Sequence, residues 1–89
     1  MTKEIVALAG DGIGPEIMEA GLQVLAAVAD KFGFTYHVTE KAFGGAGIDA
    51  EGHPLPQSTL EAAKKADAIL LAAIGSSQYD NASVRPEQG

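Results

Sequence analysis

The segment Gly10-Asp11-Gly12-Ile13-Gly14-Pro15-Glu16 dictates what this chain can become, because an apolar run leads into it and an amphipathic pattern leads out. That order predicts a strand, a tight glycine corner and the start of a helix. Three glycines in five residues admit positive φ and let another backbone or a ligand approach closely. Pro15 fixes φ in the first helical turn, where its missing N–H costs nothing. The helix start points unpaired N–H groups out of the corner, which favours anions, although Glu16 competes for the same positive end. The dinucleotide fingerprint is G-x-G-x-x-G, whereas this segment reads G-x-G-x-G followed by proline, so it is a different motif. Taken alone, it is more simply a corner that reverses the chain.

Before the corner, Ile5-Val6-Ala7-Leu8-Ala9 is apolar at every position, which predicts a strand covered on both faces, as in the middle of a parallel sheet. After it, Ile17, Gly21, Val24, Leu25, Val28 and Phe32 recur at three- and four-residue steps and predict a helix that packs this face. Gly33 supplies the left-handed residue that ends the helix, and Lys31 complements its carboxyl end. Phe34, Tyr36 and Val38 then alternate with Thr35, His37 and Thr39, the period of a strand with one buried face, toward a sheet edge. His37 falls on the polar side with no second histidine or cysteine nearby, and reads as solvated rather than as a ligand. His53, in a Gly-Pro loop, reads the same way.

Residues 42–57 hold Gly44, Gly45, Gly47, Gly52, Pro54 and Pro56, and predict turns around at most one helical turn near Ala46 to Ala50. A loop of this length is functional or packed against something. Ser58-Thr59-Leu60-Glu61 matches a capping box, predicting a short helix to about Ala66 with a thin apolar face of Leu60, Ala63 and Ala66. Ala68 to Ile74 is the second fully apolar run and predicts another strand covered on both faces, ended by Gly75-Ser76-Ser77.

The chain thus reads β-α-β-α-β, an α/β fold of three layers with a mostly parallel sheet and right-handed crossovers. Ligands of such sheets sit beyond the carboxyl ends of the strands, where both glycine-rich turns, Gly10 to Gly14 and Gly75 to Ser77, fall. Neighbouring strands would bring the two turns into one crevice. Asp80, Arg85, Pro86, Glu87 and Gln88 follow in a segment that a solvated loop explains equally well. A sheet of three strands leaves edges and apolar faces uncovered, so the chain is expected to be an incomplete domain.

Composition narrows the partners. Twelve acids against six bases give a net charge of −6 without a basic cluster, which argues against nucleic acid and against an anionic membrane surface. A small molecule or another protein is left. With no cysteine there is neither a disulfide nor a thiolate metal site. No secretory signal pattern opens the sequence, and the longest apolar run, residues 68–74, is far below a membrane span, so a cytoplasmic location is expected.

With these residues laid out, the chain resembles the amino-terminal portion of the isocitrate/isopropylmalate dehydrogenase family. The resemblance runs from about Glu4 to Gly89. Its anchors are the opening Gly-Asp-Gly-Ile-Gly-Pro-Glu, then Phe43-Gly44-Gly45-Ala46-Gly47-Ile48-Asp49, Pro54-Leu55-Pro56, Leu70-Leu71-Ala72-Ala73-Ile74-Gly75 and Arg85-Pro86-Glu87-Gln88-Gly89. The first indicates the wider family; the set is specific to its isopropylmalate branch, with Arg85-Pro86-Glu87 the most telling piece. The resemblance implies that residues 1–89 are the N-terminal part of the first domain. It implies NAD-dependent oxidation of (2R,3S)-3-isopropylmalate with Mg2+ or Mn2+, then loss of carbon dioxide to give 2-oxoisocaproate in leucine biosynthesis, by a homodimer. Ile13 would lie by the nicotinamide; Gly75, Ser76, Ser77, Gln78, Tyr79, Asp80, Arg85, Pro86 and Glu87 would line the cofactor, Glu87 facing the nicotinamide ribose. Loops rather than the dinucleotide fingerprint hold the cofactor in this family, in keeping with the spacing of the first glycines.

Family members often carry Gly or Ser, then Pro, then a Trp-Asp pair, where this chain has Ser76-Ser77-Gln78-Tyr79-Asp80. Tyr79 keeps a ring, while Ser77 gives up the rigidity of proline. The family's substrate arginines, its tyrosine and lysine acid–base pair and its metal-binding aspartates have no counterpart here, and Asp11, Asp49 and Asp80 lack the spacing of clustered ligands. No catalytic residue and no metal site is therefore expected among these residues, and no turnover from them alone. Two other readings stay open: a non-catalytic nucleotide-binding or self-associating α/β module, and another hydroxyacid-decarboxylating dehydrogenase acting on isocitrate or tartrate.

Overall fold

Three strands, β1 (Thr2–Gly10), β2 (Thr35–Glu40) and β3 (Ala68–Ala73), form one parallel sheet in a computed structural model that describes residues 2–89, with β1 between the other two. Ile5, Val6, Ala7 and Leu8 are all buried, as an unbroken apolar run in a central strand requires. Side chains alternate across a strand, and the two faces of β1 meet different helices. Ala9 lies beside Met18 and Leu22 of α1 (Gly14–Phe32). Val6 and Leu8 cluster instead with Phe43, Leu55, Ala62 and Ala66, around the helices α2 (Gly45–Glu51) and α3 (Gln57–Lys65). Helices on both faces give the expected three layers, in the chain order β-α-β-α-α-β.

The expected boundaries of α1 hold, but its packed face is corrected. Gly33 adopts φ 70° and its N–H bonds the Ala29 carbonyl at 2.9 Å, closing the helix. Met18 and Ala29 are buried and Leu22 and Leu25 half-buried, so the inward stripe runs 18-22-25-29. Of the predicted stripe only Leu25 belongs to it. Ile17, Gly21, Val24, Val28 and Phe32 are exposed, because α1 carries two apolar stripes and only one reaches the sheet. The second stripe flanks β3, and together Ile17, Gly21, Val24, Val28, Leu70 and Leu71 line an open apolar groove of about 350 Å³.

β3 differs from its expectation for the same reason. Ile69 and Leu71 stay half exposed, since β1 pairs with one edge of β3 and nothing among the described residues covers the other. β2 lies at the opposite edge, as its alternation predicted.

The Gly-Pro segment is more ordered than its composition suggests. α2 makes nearly two turns rather than one. Pro54 and Pro56 are fully buried, and the Gly44 N–H donates to the Pro54 carbonyl at 2.8 Å, folding the segment back on itself. The predicted capping box does not form. α3 begins at Gln57 after Pro56, which places Ser58 inside the first turn, where its hydroxyl donates to Glu51 at 3.3 Å instead of capping. Thr59, fully buried, is the residue that fixes α3: its hydroxyl donates to the Ala42 carbonyl at 2.6 Å.

Register sets the rim. Gly10 stands opposite Ala73, so β1 and β3 end side by side. Approach is so close that a Cβ on Gly10 would lie 1.7 Å from the Ala73 carbonyl oxygen, and one on Gly14 1.9 Å from that of Ala9. At Gly12, by contrast, φ is 60° and a Cβ would meet nothing within 4 Å. Gly14→Ala is therefore expected to destabilise the chain by about 3 kcal/mol or more, at the upper end of single-residue effects. Gly12→Ala should cost only the left-handed backbone penalty, about 1 kcal/mol. Urea titration of the two variants checks the order; equal losses would contradict the packing described.

Candidate functional site

From β1 the chain crosses to one side for β2 and then returns to the other side for β3, so the crossover direction changes between β1 and β3. In open parallel sheets that point leaves a crevice at the carboxyl ends, which is where ligands bind. Both glycine corners lie there.

A single carboxylate joins them. Asp11 is buried at the corner after β1, and its oxygens accept three backbone N–H groups: Gly45 on Oδ2 at 2.7 Å, Ala46 on Oδ1 at 2.8 Å and Gly75 on Oδ2 at 3.0 Å. Its own N–H donates to the Ala73 carbonyl at 3.0 Å. Charge-assisted bonds of this kind are what make a buried carboxylate tolerable. The first turn of α2 supplies two of the donors, N–H groups that an α-helix leaves without internal partners. Sequence reading missed this role; the available signal was an acid held between two glycines at a strand end, where little room is left for water.

The predicted cofactor residues divide into three groups. Ile13 stands at the β1 corner with 65% of its surface exposed. Gly75 is held to the same corner by Asp11, at φ 120° and with open space where a Cβ would be. The loop that follows, through Ser76, forms a short 3-10 turn at Ser77–Tyr79 and reaches α2, where Asp49 accepts hydrogen bonds from the Tyr79 hydroxyl and from Gln78 Nε2. Asp80 follows at the surface.

Pro86 and Glu87 lie in a second 3-10 turn, Pro86–Gln88, that Arg85 precedes at its N-cap, rather than in a solvated loop. Pro86 is fully buried, and a Cβ on Gly89 would lie 3.0 Å from the Phe43 ring and from the Pro54 carbonyl oxygen. Arg85 Nε donates to Glu87 at 2.8 Å, and its Nη1 to the Ala82 carbonyl at 3.2 Å. A backbone amide bond at Glu87 itself, and then Arg85, hold the Glu87 carboxyl below the ordinary glutamate range. The exposed carboxylate is thus ionised and oriented near neutral pH.

Neither histidine sits near the crevice. His37 pairs with Glu4 at 3.1 Å on the exposed β1–β2 face, and His53 Nδ1 accepts the Leu55 N–H at 3.0 Å. Among the described residues, no three histidine, aspartate or glutamate side chains converge to hold a metal ion, and Asp11 is committed to backbone. The residues present do not fit a divalent cation. Gly12 and Gly75, at the two corners that Asp11 joins, each have open space where a Cβ would be.

The profile of the isocitrate/isopropylmalate dehydrogenases matches residues 4–89. The chain belongs to that family. It is 75% identical over its full length to a 3-isopropylmalate dehydrogenase of Streptococcus thermophilus and 66% identical to one of Lactococcus lactis, spanning 26% of each. Among solved structures, an isocitrate dehydrogenase from Methylococcus capsulatus superposes with a TM-score of 0.65 at 28% identity, over 83% of this chain and 22% of that one. The chain therefore spans about a quarter of the length of the curated relatives it matches. Among the described residues, no helix is long and apolar enough to cross a membrane.

Replacing Asp11 should loosen the rim as a unit. Asp11→Ala leaves three N–H groups without their acceptor and is expected to cost about 3 kcal/mol; Asp11→Asn keeps one oxygen and should cost about half as much. Amide hydrogen exchange checks the origin of the loss, with Gly45, Ala46 and Gly75 accelerating together. Acceleration of only one would mean that the carboxylate does not couple them.

Proposed function

We propose that these residues form the nucleotide-facing amino-terminal quarter of a 3-isopropylmalate dehydrogenase. That enzyme oxidises (2R,3S)-3-isopropylmalate with NAD and releases carbon dioxide to give 2-oxoisocaproate, a step of leucine biosynthesis in the cytoplasm. The single observation that carries this reading is 75% identity along the whole chain to relatives bearing that name. Its geometric support is the change of crossover direction between β1 and β3, where Ile13 is exposed at the first corner and Asp11 ties Gly75 to that corner.

In this reading Ile13 offers an apolar surface to the nicotinamide, and open backbone at Gly12 and Gly75 admits the cofactor closely. Glu87, held by Arg85, accepts hydrogen bonds from the nicotinamide ribose hydroxyls. When bound, NAD supplies the hydride acceptor. Mg2+ or Mn2+, substrate and the acid–base pair are held by parts of the enzyme not represented among these residues. The homodimer is the assembly expected of the whole enzyme; for this chain, the groove between α1 and β3 supports association of some kind.

Grafting decides the reading. A chimera in which residues 1–89 replace the matching part of the Streptococcus thermophilus relative is expected to reduce NAD with 3-isopropylmalate and a divalent metal. A folded chimera inactive on 3-isopropylmalate would overturn the proposal. The 89-residue chain itself should show no turnover, weak NAD binding by calorimetry and concentration-dependent light scattering. Micromolar NAD affinity in that chain would favour the free-standing binding module.

A further inference from the structure

The loop after β3 is attached at two points, and both attachments lead back to Asp11. At its start, the Gly75 N–H donates to the Asp11 carboxylate. At its far end, the Tyr79 hydroxyl donates to Asp49 Oδ1, joined by Gln78 Nε2 at 3.4 Å. Asp49 lies on α2, whose first turn is bound by Asp11 through Gly45 and Ala46. The contacts close into a ring that runs from the β1 corner to α2, to the loop and back to the corner. Within that ring the Asp49 attachment is the one made by side chains at both ends, and it spans thirty positions of sequence.

We propose that Asp49 is a positioning residue: acting through Tyr79 and Gln78, it latches the 75–80 loop onto α2 and fixes the wall of the crevice. Its bearing on NAD rests on the dehydrogenase reading, while the latch itself does not. A carboxylate suits the role, because a hydrogen bond to a charged acceptor is stronger than one between neutral groups. Ser77 lacks the fixed φ of a proline, so a contact across to α2 adds to the order that the loop's own 3-10 turn supplies. The same bond leaves a signature on the phenol: donation to Asp49, with a smaller effect of partial burial, raises Tyr79 above the ordinary tyrosine range. Such a group contributes to stability below the unfolded tyrosine value, and that contribution is lost as pH rises through its own higher value.

Hydrogen exchange and tyrosinate absorbance on the 89-residue chain test the latch, with Tyr36→Phe as the background so that Tyr79 alone titrates. Asp49→Ala and Tyr79→Phe are each expected to speed amide exchange across residues 75–80 by on the order of tenfold, leaving β1 protected. Asp49→Asn, which keeps an acceptor and removes the charge, should restore most of the loop protection while lowering the Tyr79 titration toward the ordinary tyrosine value. Unchanged exchange in both Asp49→Ala and Tyr79→Phe would overturn the proposal, as would a Tyr79 titration indifferent to Asp49. Addition of NAD separates the two readings. If it shifts the loop amides of the parent chain, Asp49→Ala should weaken that binding several-fold, and equal binding would overturn the positioning role. If it shifts none, the cofactor assignment suffers and exchange alone decides the latch.

Discussion

Three amide groups from distant parts of the sequence converge on one carboxylate, and the rim of this sheet exists in its observed form because they do. Without Asp11, the buried Gly45 N–H at the start of α2 would lose its acceptor, and the Ala46 and Gly75 amides would lose theirs with it. With it, the two glycine corners lie in one place. Close approach of β1 to β3 is the precondition, since Gly10 and Gly14 bring backbone to where any side chain would collide with a carbonyl.

The core around this rim is narrow. β1 is buried on both faces, but the second apolar stripe of α1 and the outer half of β3 face outward, a division that small domains show because so much of their surface cannot be covered. The rim owes its order mainly to directed polar contacts and to buried Thr59, Pro54, Pro56 and Pro86, and only secondarily to apolar mass.

What the sequence made legible was local. The run Ile5 to Ala9, the corner and the Gly33 cap of α1 each follow from a few neighbouring residues and are found where expected, and β2 forms with Tyr36 and Val38 half-buried, although Phe34 lies outside the strand and is exposed. Three things were hidden for physical reasons. Two apolar stripes on α1 are equivalent until a sheet selects one. Ser58 and Glu61 have capping-box spacing, but the helix starts two residues earlier, with Pro56 at its N-cap. Asp11 joins groups 34 to 64 positions away, which no periodicity records. Of the candidate site, the two corners were readable and the carboxylate that holds them together was not.

Stiffness in the loop after β3 has a different origin from the one a proline would give. A proline narrows φ in the folded and unfolded chain alike, so its effect is present before the fold forms. Tyr79 and Asp49 are thirty positions apart and meet only once α2 is in place. α2 in turn is held by Asp11 through its first two amides. Order in the loop thus combines its own 3-10 turn with contacts to the β1 corner and to α2. A ligand entering between Gly12 and Gly75 would meet a wall whose ordering entropy has already been spent by the fold, which is the physical meaning of a preorganised site.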